Sequence, residues 1–344
     1  MAVITTVLDF VLPPTMAFLL LLLYPALTFV RFLKFLVSLL VFEDVRGKVI
    51  LITGASSGIG EHLTYQYAKR GARLVIVARR QNLLEQVADR AMTKGATDVH
   101  VIAGDVTKQE ECKRFVDETI NKYGRLDHLV NNAGIAHSFF FEQAKDASAM
   151  NPIMDVTFWG HVYSTYYALP HLRRSKGKIL EIASVVSVIP YPRQSIYNSA
   201  KAAALQFYET LRVEAGETIG ITIVMPGWIE SEMTRGKFVG AEGELTEKPV
   251  HQRDAHVGPA PVEYAETCAR AAVLGVLRSR RYVVVPYFYY AFILLRVYAP
   301  EILETLFRIF YVHHPIEQKP LSKVLMDTTK AQQVLYPQSI QKQE

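Results

Sequence analysis

The chain has 344 residues, of which half are apolar, and a formal net charge of +5. This length suffices for one large domain with an appendage. The basic residues are scattered, with only short pairs such as Arg79-Arg80, so the sequence lacks the basic block with interleaved aromatic residues that is typical of nucleic-acid binding. The two cysteines, Cys112 and Cys268, belong to no CxxC motif, which argues against a disulfide framework or a metal site.

The N-terminal segment contains an uncharged apolar run at residues 10–30, close to the ~20 residues that span a bilayer core. Proline within a helix removes a hydrogen bond and favours a bend, and three prolines interrupt the run: Pro13, Pro14 and Pro25. We expect a bent hairpin in lipid or a straight span, with a buried core helix as a third interpretation. Basic residues follow the run at positions 31, 34, 46 and 48, so the next domain should face the cytosol.

From residue 48 to residue 286, short β-branched runs alternate with helical stretches, which predicts a doubly wound parallel α/β sheet. The predicted strands are KVILIT, RLVIVA, DVHVIAGD, LDHLVNNAG, GKILEIAS, GITIVMPG and RYVVVP. Residues 235–261 are rich in glycine, proline and charge and predict a mobile lid. The aromatic segment 287–314 predicts a helix packed on the core, although capping of an apolar pocket, lipid contact or a dimer contact remain alternatives. The tail from residue 315 is polar, and we expect part of it to be unordered.

The stretch TGASSGIG, Thr53–Gly60, follows the first predicted strand and opens a helix. Glycines let the backbone approach a pyrophosphate, and a helix N-terminus attracts its negative charge. The motif predicts a dinucleotide site rather than an ordinary turn. The expected cofactor contacts in this loop are Gly54, Ser56, Ser57, Gly58, Ile59 and Gly60.

The end of the second predicted strand discriminates between cofactors. An acidic residue there would bind the ribose 2′-hydroxyl of NAD, whereas this chain has Ala78, Arg79 and Arg80. Since a guanidinium suits a 2′-phosphate, we predict NADP rather than NAD, against the alternative of a solvated loop. Further contacts are expected at the carboxyl ends of the third and fourth strands, from Asp105, Val106, Asn132, Ala133 and Gly134.

Two tyrosines precede a lysine by four residues, which places each pair on one helix face. Tyr65 and Lys69 lie in the helix after the glycine loop, which must pack on the sheet, so this pair is interpreted as coincidence. Tyr197 and Lys201 begin a helix after the fifth strand, which ends at Ser184. Tyr197 can exchange a proton with a carbonyl or alcohol oxygen, with a pKa that Lys201 would lower.

Taken together, TGASSGIG, NNAG, Ser184, YNSAK and Pro226-Gly227 resemble the short-chain dehydrogenases/reductases over residues 46–285. The resemblance implies a Rossmann-like sheet of seven strands, a bound dinucleotide and oxidoreduction of an alcohol and carbonyl pair. It also implies that the loop from Pro226 and Gly227 through Ile229 covers the nicotinamide, and that homodimers form through the long helices.

The segments YGRLDHLVNNAG, TFWG, ESEMTRGKF and LYPQSI, with the proline-broken N-terminus, resemble the steroleosins more closely. These are plant oil-body sterol-binding dehydrogenases similar to 11-beta-hydroxysteroid dehydrogenases. The resemblance implies a steroid or sterol substrate and a lipid-droplet or ER surface, for which a hairpin anchor with a proline knob suits a monolayer. A sterol-binding coat protein with weak activity and a reductase of other lipid carbonyls are the alternatives. The expected division is an anchor at 1–45, a catalytic domain at 46–285, an apolar helical segment at 286–314 and a tail at 315–344.

One position departs from the family pattern. The family usually has an asparagine in the long helix before the fifth strand, where it holds a water of the proton relay and widens the helix. Aligned on Phe158-Trp159-Gly160, this position is Thr157, which offers fewer hydrogen bonds than an asparagine. We therefore predict a slower or differently connected proton relay.

Overall fold

The computed structural model describes residues 1–40, 42–247, 250–312 and 320–341. The chain divides into two units, Met1–Glu43 and Asp44–Glu344, and each is described by itself. The first unit is one helix, α1 (Ala2–Leu40), which continues through Pro13, Pro14 and Pro25. Its part from Ala2 to Val37 is long and apolar enough to cross a membrane, by length and composition. The structure therefore contains a single helix where the prolines favoured a bent hairpin.

The second unit is built on a parallel sheet of seven strands in the order β3-β2-β1-β4-β5-β6-β9, which confirms the predicted fold class. Its strands are β1 (Val49–Thr53), β2 (Arg73–Ala78), β3 (Asp98–Ala103), β4 (His128–Asn131), β5 (Lys178–Ile182), β6 (Gly220–Pro226) and β9 (Tyr282–Val285). Ile50 pairs with Leu74 on one side and with His128 on the other. The strand order reverses between β1 and β4, and ligands of such sheets bind at this switch point, beyond the carboxyl ends of the strands.

The main helices of this unit are α2 (Gly58–Ala68), α3 (Gln81–Thr93), α4 (Gln109–Tyr123), α5 (Asn151–Met154), α6 (Gly160–Ser175), α7 (Ser195–Ala215) and α9 (Ala265–Leu277). A π-helical turn, Asp155–Trp159, joins α5 to α6. Alternate residues of β1 face opposite sides of the sheet, as the period of two requires. Ile50 packs with residues of α2, α3 and α9, while Leu51 packs with residues of α4, α6 and α7. Both faces are therefore covered, which explains the continuous apolar strands.

The segment after β6 forms the two-stranded antiparallel hairpin β7 (Lys237–Val239) and β8 (Leu245–Glu247), followed by α8 (Val250–Val257). These elements, with the loops around them, form the described part of 235–261. The apolar segment forms α10 (Tyr289–Tyr298) and α11 (Pro300–Tyr311). Leu303 is fully buried, and Phe292 and Phe307 pack against the core cluster, as the helical interpretation predicts.

The described part of the C-terminal tail is folded. It forms α12 (Leu321–Thr329), α13 (Gln332–Leu335) and α14 (Gln338–Gln341), and Tyr336 and Ile340 are buried in a cluster with Val257. The Tyr336 hydroxyl donates to the Gly258 carbonyl at 2.8 Å, and buried Arg253 donates to the Ile340 carbonyl at 2.6 Å. The described part of the tail, 320–341, is folded because its sparse apolar residues find partners on α8. Residues 315–319 and 342–344 lie outside the described residues.

Candidate active site

The glycine loop between β1 and α2 has a conformation that requires glycine. Gly54 has φ +65°, and a Cβ there would lie 2.8 Å from the Cα of Ala133. A Cβ on Gly60 would lie 2.2 Å from the Gly54 carbonyl oxygen. The Asn132 amide donates to the carbonyl oxygens of Thr53 and Gly54 at 3.1 Å, which ties the loop to the end of β4. We call this turn the glycine cradle, because glycines in such a turn let the backbone approach a pyrophosphate.

A cavity of about 770 Å³ lies beyond the carboxyl ends of the strands. It is lined by all but one of the residues predicted to contact a cofactor or substrate: Gly54, Ser56, Ser57, Gly58, Ile59, Arg79, Arg80, Asp105, Val106, Asn132, Ala133, Gly134, Ser184, Tyr197, Lys201, Pro226, Gly227 and Ile229. The exception is Gly60, which is buried beneath the loop. The structure thus brings the predicted residues together around one space.

The two arginines after β2 differ in their surroundings. Arg79 is exposed at the cavity. Arg80 is half-buried, and one terminal nitrogen donates to Ser56 Oγ at 3.2 Å and Ser57 Oγ at 3.1 Å. Its other terminal nitrogen contacts Glu232 Oε1 at 2.6 Å. Sequence reasoning missed this last contact, because the partners lie 152 residues apart.

Two polar residues at the strand ends have structural partners. Asp105 accepts from the backbone nitrogen and the hydroxyl of Thr107, at 3.0 and 2.9 Å, in a turn that leads into α4. Asn131 points away from its neighbour Asn132 and donates to Thr165 Oγ1 at 2.9 Å and to the Tyr208 hydroxyl at 2.7 Å. Of the NNAG segment, residues 132–134 line the cavity and Asn131 belongs to the core.

Ser184, Tyr197 and Lys201 all line the cavity. The Ser184 hydroxyl donates to the Pro226 carbonyl at 3.2 Å, and its hydrogen bond with Tyr197 lowers the pKa of the phenol. Burial has the larger effect and raises the pKa of Tyr197 to about 12. The Lys201 ammonium lies 5.9 Å from the centroid of the Tyr197 ring and donates to the Ile182 carbonyl at 2.7 Å. The net shift of the Tyr197 pKa is therefore upward, and the group that opposes it is Ser184 rather than the expected Lys201.

Burial also acts on the lysine. Lys201 is 3% exposed, and burial lowers its pKa to about 8, against a smaller opposing effect of the Glu181 charge. At neutral pH the ammonium is therefore mostly charged. It lies close to the loop after β4, since a Cβ on Gly134 would be 3.8 Å from its nitrogen.

Tyr65 has the environment of a structural residue. Its hydroxyl donates to Glu61 Oε1 at 2.7 Å, and burial together with this carboxylate raises its pKa to about 12. Lys69 pairs with Glu266 at 2.9 Å instead. Neither residue lines the cavity, which supports the interpretation of this Tyr-x-x-x-Lys pattern as coincidence.

Comparison with known proteins agrees with this geometry. A family model described as short chain dehydrogenase matches residues 48–240. The chain is 50% identical to an 11-beta-hydroxysteroid dehydrogenase of Pinus massoniana over 343 residues, which cover 99% of this chain and 96% of that protein. The chain belongs to the short-chain dehydrogenase family.

Solved structures of this fold carry either dinucleotide. An alcohol dehydrogenase from the archaeon Thermococcus sibiricus, complexed with 5-hydroxy-NADP, matches with a TM-score of 0.58 and 26% identity, covering 70% of this chain and 95% of that one. A short-chain dehydrogenase/reductase from Burkholderia phymatum in complex with NAD matches with a TM-score of 0.67 over 76% of this chain and 96% of that one. At 23% identity the second likeness concerns the fold alone.

In this short-chain dehydrogenase, Thr157 occupies the π-helical turn before α6 and is fully buried. Its hydroxyl accepts from the Ile135 backbone nitrogen at 3.2 Å and donates to the Ile135 carbonyl at 3.1 Å. Thr157 therefore clamps the backbone of the loop after β4 directly. The local widening expected with an asparagine is present with a threonine.

A second clamp on the same loop was not predicted from the sequence. His161, one turn after Thr157, contacts the Ala133 carbonyl through Nε2 at 2.6 Å and Glu181 Oε1 through Nδ1 at 2.8 Å. Because a carbonyl oxygen only accepts, Nε2 donates the hydrogen bond to Ala133. Both side chains are buried, at 1% and 0% exposure, so each depends on the other for a hydrogen bond that water would otherwise supply.

Another part of the cavity wall is apolar and aromatic. Tyr191, Trp228 and Tyr289 contribute to its wall, with Phe307 and Tyr311 from α11. These positions show that the 287–314 segment caps the pocket as well as packing on the core. A Cβ on Gly227 would lie 1.9 Å from Tyr289 Cε2. This glycine therefore allows α10 to pack directly on the loop after β6.

Proposed function

We propose that this short-chain dehydrogenase is an NADP-dependent hydroxysteroid dehydrogenase that interconverts hydroxyl and keto groups of a steroid or sterol. The main support for this proposal is that one cavity is lined by the glycine cradle, by Ser184, Tyr197 and Lys201, and by an aromatic wall. Such a cavity orients an apolar substrate beside a dinucleotide. The name of the Pinus massoniana relative supports the substrate class.

The proposed chemistry assigns one task to each of the three residues. When bound, the dinucleotide supplies or accepts the hydride. Tyr197, protonated because burial raises its pKa to about 12, donates its phenolic proton to the carbonyl oxygen during reduction. Ser184 hydrogen-bonds the same oxygen, and the Lys201 ammonium holds the nicotinamide ribose. In oxidation the alcohol proton passes to Tyr197, which must then start as the phenolate.

The proposed preference for NADP rests on charge. Arg79 is exposed at the cavity, Arg80 is beside it, and a guanidinium matches a 2′-phosphate. Since solved relatives of this fold carry NADP-type or NAD cofactors, the fold itself leaves the choice to these side chains.

The proposed site of action is the cytosolic surface of the ER or a lipid droplet, with residues 1–45 as anchor. The exposed apolar side chains of α1 support this placement, since burying them in lipid removes a large apolar area from water. A homodimer through the long helices is also proposed. Trp159 and Tyr166 support it, because they are 43% and 69% exposed at and within α6.

The test is turnover of a panel of hydroxysteroids with NADP and NAD by the full-length protein, beside Tyr197→Phe. Activity with NADP that is lost in the variant is the expected result. Tight NADP binding without turnover of any steroid would refute the steroid assignment. It would favour the two remaining candidates, a reductase of another lipid carbonyl or a sterol-binding coat protein, which a panel of fatty-acyl and retinoid carbonyls would separate.

A further inference from the structure

The loop after β6 places a carboxylate, that of Glu232, in contact with Arg80, the arginine beside the proposed site of the cofactor 2′-phosphate. Glu232 lies in the segment between β6 and β7 and lines the cavity. Its Oε1 is 2.6 Å from Arg80, and its Oε2 is 2.9 Å from Lys237 Nζ. One guanidinium edge is thus paired with a carboxylate, and the other faces two serine hydroxyls of the glycine loop.

Glu232 is charged at neutral pH. Burial alone would raise its pKa, but the hydrogen bonds from Arg80 and Lys237 outweigh burial and leave the pKa below its ordinary range. The side chains of Arg80 and Glu232 are 38% and 31% exposed, so the pair is partly screened by solvent. Arg79 is exposed and, among the residues that the structure describes, has no ion-pair partner.

We propose that Glu232 is a specificity-determining residue that competes with the cofactor 2′-phosphate for Arg80 and so limits the preference for NADP over NAD. This inference rests on the proposed dinucleotide site. A doubly charged phosphate at Arg80 would stand beside the carboxylate, and like charges at such distances repel. The 2′-hydroxyl of NAD brings no charge and can donate to a carboxylate. Glu232 therefore penalises NADP and leaves NAD usable.

The experiment measures the dissociation constants of NADP and NAD for the full-length protein in mild detergent by titration calorimetry. The variants are Glu232→Gln, Arg80→Gln, the double variant, and Glu230→Gln as matched control. Glu230→Gln removes the same charge from the same loop. Glu230 does not line the cavity, and its carboxylate lies 3.9 Å from Arg235.

For Glu232→Gln we expect NADP binding to tighten about fivefold, with NAD binding unchanged or weaker, as for a partly exposed ion pair. The gain should decline as salt is raised, because screening weakens repulsion between exposed charges. In the Arg80→Gln background the gain should vanish, and the control should keep the wild-type ratio of the two constants.

An unchanged ratio in Glu232→Gln would overturn the inference. An equal gain in the Arg80→Gln background or in the Glu230→Gln control would also overturn it, since the effect would then be a general change of charge. If the wild type binds neither dinucleotide, the proposed function itself fails. If it binds both and the ratio does not move, only the role of Glu232 fails.

Discussion

Replacing Lys201 by methionine should change how the stability of the protein depends on pH. Lys201 is buried, and burial lowers its pKa from 10.5 to about 8. Between these two values the unfolded chain binds more protons than the folded one, so the free energy of unfolding rises with pH. Below about pH 8 both states are protonated, and the cost of holding the ammonium in the core is constant at roughly 3 kcal/mol.

The magnitude follows from the same two pKa values. Between about pH 7 and about pH 9.5, the wild type should gain about 2 kcal/mol in free energy of unfolding relative to Lys201→Met. The variant also loses the hydrogen bond to the Ile182 carbonyl, which is 2.7 Å long in the wild type. That loss displaces the whole curve of the variant and leaves the difference in slope intact.

The assay is urea unfolding of the full-length protein in mild detergent, followed by tryptophan fluorescence at several pH values. Taking the difference between the two proteins cancels the titration of all other groups. Curves that stay parallel from pH 7 to pH 9.5 would refute the reasoning, because the lysine would then have the same pKa in both states. Activity supplies an independent check, since kcat/KM reports the pKa values of the free enzyme and should fall above about pH 8 as Lys201 loses its proton.

Four further substitutions, at three positions, test other parts of the structure. Gly227→Ala should lower the free energy of unfolding by about 1–3 kcal/mol, measured in urea, because the new methyl group would overlap the ring of Tyr289. Thr157→Val should raise the KM for the dinucleotide more than it lowers kcat, because it removes both hydrogen bonds to Ile135. Thr157→Asn should change turnover by altering the proton relay. Tyr65→Phe should retain wild-type kcat, because its hydroxyl serves only the fold.

Each of these expectations has a matched control and a contradicting outcome. Gly134→Ala has room for its methyl group, with the nearest heavy atom at 3.8 Å, so equal destabilisation by Gly134→Ala and Gly227→Ala would contradict the steric argument. Thr157→Ser keeps the hydroxyl, and a KM as high as that of the valine variant would contradict the loop-clamp argument. Unchanged turnover in Thr157→Asn would contradict the prediction of an altered proton relay. A loss of turnover in Tyr65→Phe comparable to that in Tyr197→Phe would contradict the assignment of roles to the two tyrosines.

Local patterns carried most of the fold and the dinucleotide side of the site. The strands are continuous β-branched runs because both sheet faces are covered, and the glycine loop is recognisable because close backbone contact restricts its residues. Each of these patterns is contained in a short stretch of consecutive residues. The contact between Arg80 and Glu232 joins positions 152 residues apart, and the sequence contains no signal for it.

Surface segments were less predictable because several environments suit one composition. The aromatic run of α10 and α11 fits core, pocket and lipid equally well, and the structure places it against both core and pocket. The tail contains few apolar residues, so its composition predicts no packing against the domain. Tyr336 and Ile340 are nevertheless buried in a cluster with Val257 of α8, and buried Arg253 donates a hydrogen bond to the Ile340 carbonyl. Such docking depends on partners that only the folded chain brings together.

The loop after β4 connects the unusual Thr157 with the two halves of the site. Thr157 and His161 lie one turn apart and hold consecutive parts of this loop, through Ile135 and Ala133. The loop in turn approaches the glycine cradle through Ala133 and the Lys201 ammonium through Gly134. A threonine bonded to Ile135 on both sides has its hydroxyl donor in use, so its role is to position the loop. Thr157 and His161 are both buried, so the loop follows any displacement of either side chain. Such a displacement would change the distance between the glycine cradle and Lys201, and with it the alignment of a dinucleotide bound between them.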